Sequence, residues 1–255
     1  MIPILYFMLL FICVLMLFGV HGITETIISK QKSHAANLDT MSNDELPIIQ
    51  KLQNKQPVTI VAYGDSITWG YERDLKTGEI SQVTNPYPSE LEKMLRKKYD
   101  YQHITIINRG HPGWTSIQAL ENLEKEVLLY HPDLVITMFG INDARGHKNY
   151  SPDALPIPID QYKENVQQLL HKLNEKRIEV VIVSPTTFTS KKNNAHLNQE
   201  QYTNAIKSLL KDDNFHYVNG SDTPIRGNLK DGVHFKPGQY RLIAEKIMTD
   251  LFSTN

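Results

Sequence analysis

The sequence predicts an α/β fold, a single-domain three-layer α/β/α sandwich with a mostly parallel central sheet. Three observations carry this. From Pro57 onward short β-branched runs alternate with segments of helical period. The runs are too apolar to have a wet face, as expected for parallel strands covered on both sides by helices. Pro132 and Pro185 stand at element boundaries, and Pro237 suits the first turn of the last helix. The strands are expected at 58–63, 103–107, 133–139 and 178–183. The helices are expected at 87–99, 115–130, 160–176, 196–211 and 237–251. In such sheets ligands bind beyond the carboxyl ends of the strands, so functional residues are to be sought there.

The chain ahead of this pattern divides into two parts. Residues 1–22 contain Ile2 to Val20, 19 residues without a charge. That is close to the ~20 needed to span a bilayer as a helix, and the run lacks an amphipathic period. It reads as a signal peptide or an uncleaved membrane anchor, with Val20-His21-Gly22 as a marginal cleavage site. Lys30 and Lys32 follow it, which by the positive-inside tendency favours a cytoplasmic face for what comes next. Export remains the favoured expectation: a protein anchored in a membrane and facing outside, or secreted. Residues 23–56 are polar and aperiodic and read as a linker, with a short helix near 43–53. The domain itself is expected over 57–255.

Composition narrows the function classes. With 27 basic and 28 acidic side chains the formal net charge is −1, and no basic stripe is visible, which argues against a nucleic-acid partner. The single cysteine, Cys13, excludes an intramolecular disulfide and a cysteine zinc site. Ten histidines include no H-x-H or HExxH pair, so neither a catalytic metal nor any other cofactor is called for.

Four short stretches carry the chemistry. The first strand runs into Gly64-Asp65-Ser66, and the second into Asn108-Arg109-Gly110-His111-Pro112-Gly113-Trp114. The third ends at Phe139-Gly140-Ile141-Asn142-Asp143, and Asp231-Gly232-Val233-His234-Phe235 precedes the last helix. Each alone is an ordinary turn or cap. Together they supply complementary parts of one mechanism. A serine hydroxyl is a poor nucleophile unless a base activates it, usually a histidine held by a carboxylate. Ser66, His234 and Asp231 fill those roles. Acyl transfer also needs donors for a developing oxyanion, which the N–H groups of Ser66 and Gly110 and the side-chain amide of Asn142 would provide. A glycine at 110 would let the backbone approach the substrate.

GDSITWG, NRG, GIND and DGVH, in this order, resemble the four sequence blocks of the SGNH (GDSL-type) hydrolase superfamily. The resemblance covers roughly Pro57 to Leu251 and departs only in Ile67, where the family name has leucine. It implies a flavodoxin-like sheet and an ester hydrolase working through an acyl-enzyme. In that scheme Ser66 is the nucleophile, His234 the base, Asp231 its orienting acid, and Ser66, Gly110 and Asn142 the oxyanion hole. Thr68 occupies the second glycine position of a G-x-S-x-G elbow, which counts against the α/β-hydrolase fold.

The substrate is expected to be a small-molecule, lipid or glycan ester. One alternative keeps the site and changes the substrate: an O-acetyl esterase or acyltransferase on a cell-envelope glycan. Another is a non-catalytic lipid- or carbohydrate-binding module on the same fold. Asp65 and Asp143 are expected to be structural. His111, Trp114, Arg145 and His147 are candidates to line a pocket, and the polar stretch 188–198 is a candidate lid.

Overall fold

The computed structural model describes residues 47–74, 76–146, 155–191, 194–211, 215–223 and 232–253. The expected leader, the linker up to residue 46, His147 and Asp231 lie outside the described residues. Among the described residues no helix is long and apolar enough to cross a membrane.

The first element is α1 (Pro47–Gln53), inside the segment expected to be linker. Its Ile48, Ile49 and Leu52 are buried in the same core as the first strand, and the Ile48 N–H donates to Glu179 Oε2 at 3.1 Å. The folded unit therefore includes this helix. Strand β1 (Val58–Gly64) follows and is buried along nearly its whole length. The short helix α2 (Ser66–Trp69) leads into a two-stranded antiparallel hairpin, β2 (Tyr71–Arg73) with β3 (Ile80–Gln82). Neither strand was expected, because three residues are too few to show a period of two.

Helix α3 (Tyr87–Tyr99) occupies the expected range and buries Tyr87, Leu91 and Leu95, one face at helical spacing. Strand β4 (Ile104–Gly110) comes next. The single helix expected over 115–130 is broken into α4 (Ser116–Glu121), α5 (Leu123–Glu126) and a 3₁₀ turn at 128–130. The break falls at Asn122, whose side-chain amide donates to the Gln118 carbonyl at 3.0 Å and so satisfies the end of α4. Strand β5 (Leu134–Met138) is wholly buried and leads into the one-turn helix α6 (Ile141–Arg145).

The longest helix, α7 (Ile159–Glu175), buries Tyr162, Val166, Leu169, Leu170 and Leu173. Strand β6 (Glu179–Val183) and helix α8 (Ala195–Leu209) follow, then the three-residue strand β7 (His216–Val218) and helix α9 (Tyr240–Leu251). Strand β7 is again too short to be read from pattern.

The main sheet is entirely parallel with order β4-β1-β5-β6-β7. Counting its strands in chain order, this is 2-1-3-4-5, the doubly wound arrangement whose direction reverses beside the first strand. Strand β1 is thus central. Its carboxyl end at Gly64 registers with Gly110 of β4 on one side and Met138 of β5 on the other. All three of those strand ends run into blocks singled out in the sequence.

Candidate active site

Strand β1 stops at Gly64 because Asp65 caps the next helix. Its Oδ1 accepts the Ile67 N–H at 2.8 Å, and its carbonyl accepts the Trp69 N–H at 3.0 Å. Gly70 closes the single turn, with its N–H donating to the Ser66 carbonyl at 3.0 Å. Ser66 is therefore the first helical residue, so its own N–H has no partner within the helix. The Ser66 side chain is buried, and its Oγ lies 2.7 Å from Nε2 of His234, 168 residues along the chain. The hydroxyl donates there when the ring proton is on Nδ1. Among the sequence-selected residues, these two are brought into direct contact.

His234 is held from several sides. The Tyr71 ring of β2 stacks on the imidazole with centroids 3.8 Å apart and planes 20° apart. The Gly232 carbonyl accepts the Thr189 N–H at 2.7 Å. Gly232 has φ +69°, and a side chain there would bring Cβ within 2.6 Å of the Ser190 nitrogen. Phe188 and Ser190 are buried. The segment 188–190 therefore packs beneath the loop that carries His234, and from Ala195 the chain is helix. Of the stretch 188–198 expected as a candidate lid, Thr189 is tied by its backbone N–H to that loop, and residues 192–193 lie outside the described residues.

Gly110 does something different from what its sequence suggested. Its N–H donates to Asn108 Oδ1 at 2.9 Å, while Asn108 Nδ2 donates to the Thr68 carbonyl at 2.9 Å. A Cβ on Gly110 would lie 2.5 Å from Trp69 Cα and 2.7 Å from the Thr68 carbonyl carbon. The missing side chain thus admits the backbone of α2, not substrate, and the N–H expected for the oxyanion is already engaged.

Asn142 lies in the first turn of α6, buried, with Nδ2 donating one hydrogen to the Trp114 carbonyl at 2.8 Å. An amide nitrogen carries two hydrogens, so one donor remains. The turn His111–Trp114 is closed by the Trp114 N–H donating to the His111 carbonyl at 3.1 Å. It is tied over the end of β1 by the His111 N–H donating to the Gly64 carbonyl at 2.8 Å. Asn142 Nδ2 is thereby bonded to the residue that follows Gly113 in the turn. Gly113 was passed over in the sequence, although it is the second glycine of the same short block.

Two buried carboxyls support these turns. Asp143 accepts the Ser116 N–H at 3.1 Å and the Ser116 hydroxyl at 2.6 Å, and Asn165 Nδ2 donates to that hydroxyl at 3.0 Å. Burial pushes the Asp143 carboxyl up to about 6, against the pull of the Ser116 bonds. Burial raises Asp65 to about 7, with the Ile67 N–H opposing and the charge of Asp143 adding to the rise. The structural role expected for both rests on their bonds to Ile67 and Ser116.

His111 is stacked on Trp114 with centroids 3.9 Å apart, and its Nε2 is 2.9 Å from Glu126 Oε2. Burial, then Arg109 and Lys125, lower its pKa to about 4. Glu126 would favour the charged ring, but Arg109 pairs with the same carboxylate and Lys125 is 3.6 Å from it. The ring is accordingly neutral, an N–H donor to Glu126, and poorly suited to act as a base. Among the described residues no group of three or more His, Cys, Asp or Glu side chains could hold a metal ion.

The model of the GDSL-like lipase/acylhydrolase family matches residues 62–242. An acetylxylan esterase from Geobacillus stearothermophilus is 23% identical over 158 residues, covering 61% of this chain and 72% of that protein. The crystal structure of an acetylxylan esterase from the same organism superposes with TM-score 0.63 at 18% identity, over 78% of this chain and 95% of the other. An alpha/beta hydrolase from the metagenome of Lake Arreo gives 0.63 at 17% identity, over 78% and 96%. At such identities the structural likeness shows a shared fold.

Proposed function

This chain belongs to the GDSL-like lipase/acylhydrolase family and is a serine ester hydrolase, and from that premise we propose that Ser66 is its nucleophile and His234 its general base. The observation that carries the assignment is the 2.7 Å contact between Ser66 Oγ and His234 Nε2 at the carboxyl end of the central strand. His234 takes the hydroxyl proton as Oγ attacks the ester carbonyl carbon. The resulting imidazolium then gives that proton to the leaving alcohol oxygen, which leaves an acyl-Ser66. Water, deprotonated by the same ring, hydrolyses it and frees the carboxylic acid. Asp231, three residues before His234, is proposed to fix the imidazole tautomer. The oxyanion is proposed to be met by the Ser66 N–H, the second amide hydrogen of Asn142 and the Gly113 N–H, because the Gly110 N–H is committed to Asn108.

Ser66→Ala is expected to abolish turnover of a short-chain nitrophenyl ester and labelling by a fluorophosphonate, with the circular dichroism spectrum unchanged. Undiminished turnover would refute the assignment.

A narrower substrate class is supported by the 23% identical acetylxylan esterase. We propose an acetyl ester on a glycan. The uncharged run from Ile2 to Val20 supports an exported enzyme, so an envelope or external polysaccharide is the fitting source. Acetate release from acetylated xylo-oligosaccharides and from wall polysaccharide, set against a series of longer acyl chains, tests it. A preference for long acyl chains would exclude the acetyl reading while leaving the ester hydrolase intact.

A further inference from the structure

We propose that Tyr71 is a positioning residue whose ring fixes the His234 imidazole and stabilises its protonated form during the reaction. The inference rests on the reading of His234 as the base. Tyr71 is half-buried on β2 of the small hairpin, and its ring covers one face of the imidazole at 3.8 Å, nearly parallel at 20°. Contact at that distance leaves no space for water on that face. It also restricts rotation of the imidazole about its own bond, so that Nε2 stays directed at Ser66 Oγ.

The backbone that carries the Tyr71 ring is itself anchored. Tyr240, fully buried at the start of α9, donates its hydroxyl hydrogen to the Tyr71 carbonyl at 2.6 Å. Phe235, the residue after His234, packs edge-on against the Tyr240 ring at 5.6 Å. The segment from His234 to Tyr240 thus grips at one end the strand that supplies the stacking ring at its other end. Trp69 tilts against Tyr71 at 6.4 Å and links the same ring to the nucleophile helix.

The chemistry gives this geometry a direction. The imidazole is neutral when substrate binds and cationic when it has accepted the Ser66 proton. The negative face of an aromatic ring attracts a cation far more than a neutral ring. The contact therefore favours the transition state over the bound ground state, and its loss lowers kcat and leaves KM unchanged. The phenol hydroxyl has no part in this, so phenylalanine suffices.

Two variants separate the ring from its bulk. Tyr71→Phe is expected to keep kcat within about twofold. Tyr71→Leu, which fills much of the same space without a π face, is expected to lose kcat by roughly 3- to 30-fold, the fold-change that one cation–π contact of ordinary strength carries. KM for a short-chain nitrophenyl ester and the melting temperature are expected to hold in both. The rate of Ser66 labelling by a fluorophosphonate should fall in parallel with kcat. The inference is overturned if the leucine variant turns over like wild type, if phenylalanine loses as much as leucine, or if the loss lies in KM. Failure of the underlying assignment has a different signature, undiminished turnover in His234→Ala with Tyr71 intact.

Discussion

Gly110→Ala separates two roles that the sequence leaves superimposed. As an oxyanion donor Gly110 would use its N–H, which alanine also has, so the variant would retain activity. The structure instead makes the absent side chain the essential feature. An added Cβ would lie 2.5 Å from Trp69 Cα and 2.7 Å from the Thr68 carbonyl carbon, against the 3.4 Å at which ordinary contact begins. Against Cα the shortfall, 3.4 minus 2.5, is about 0.9 Å, the Trp69 nitrogen is closer still, and all three neighbours are backbone atoms that no rotamer change can move aside. Helix α2 must therefore shift by roughly 1 Å, and it carries Ser66. Displacing a reacting group by that much costs about 10²-fold in rate, since the 2.7 Å contact to His234 cannot survive it. Overpacking of a tight interior adds a destabilisation of about 1–3 kcal/mol. Steady-state hydrolysis of a nitrophenyl acetate, with a urea titration on the same sample, reads both numbers. A variant with wild-type kcat and an unchanged urea midpoint would refute the packing argument.

Three further outcomes are expected. Asn142→Ala should lower kcat by about 10²–10³ with little change in KM, the usual cost of one oxyanion donor, measured by steady-state kinetics. Asp143→Ala removes the acceptor of both the Ser116 N–H and the Ser116 hydroxyl, each buried, and should destabilise by roughly 2–5 kcal/mol in a denaturant titration, with Asp143→Asn losing less. Burial raises Glu179 from its ordinary 4.5 to about 7, so the stability this group confers is complete below pH 4.5 and lost as pH rises through 7. That span sets a ceiling of about 3 kcal/mol, reduced to roughly 1–2 kcal/mol because the carboxylate keeps some solvent contact. Glu179→Gln, which still accepts the Ile48 N–H, should therefore melt like wild type near pH 4 and above it at pH 8.

The sequence by itself determined the layers and the order of the chemistry. Strands buried on both faces must be apolar throughout, and helices that cover them must repeat at 3.6 residues. Both patterns survive without knowledge of any contact, which is why β1, β5, β6, α3 and α7 were legible within a residue or two. The residue types needed for acyl transfer are few, so Ser66, Asn142 and His234 could be selected from their blocks. Short elements could not be seen: β2, β3 and β7 have three residues each, less than two periods of alternation.

Only the tertiary structure decided what each turn residue faces. Gly110 and Gly113 share one short block, and it is the docking of α2 against β4 that closes the first, while Asn142 bonds the carbonyl of Trp114, the residue after the second. Tyr71 belongs to no motif, because its role comes from a ring stacked on a residue 163 positions away (234 − 71). The polar stretch 188–198 read as a candidate lid for the same reason: the Gly232 carbonyl, partner of the Thr189 N–H, is distant in sequence and adjacent in space. Local pattern records what a residue must be for its own element. Which backbone groups and ring faces remain free is fixed by packing between elements far apart in the chain.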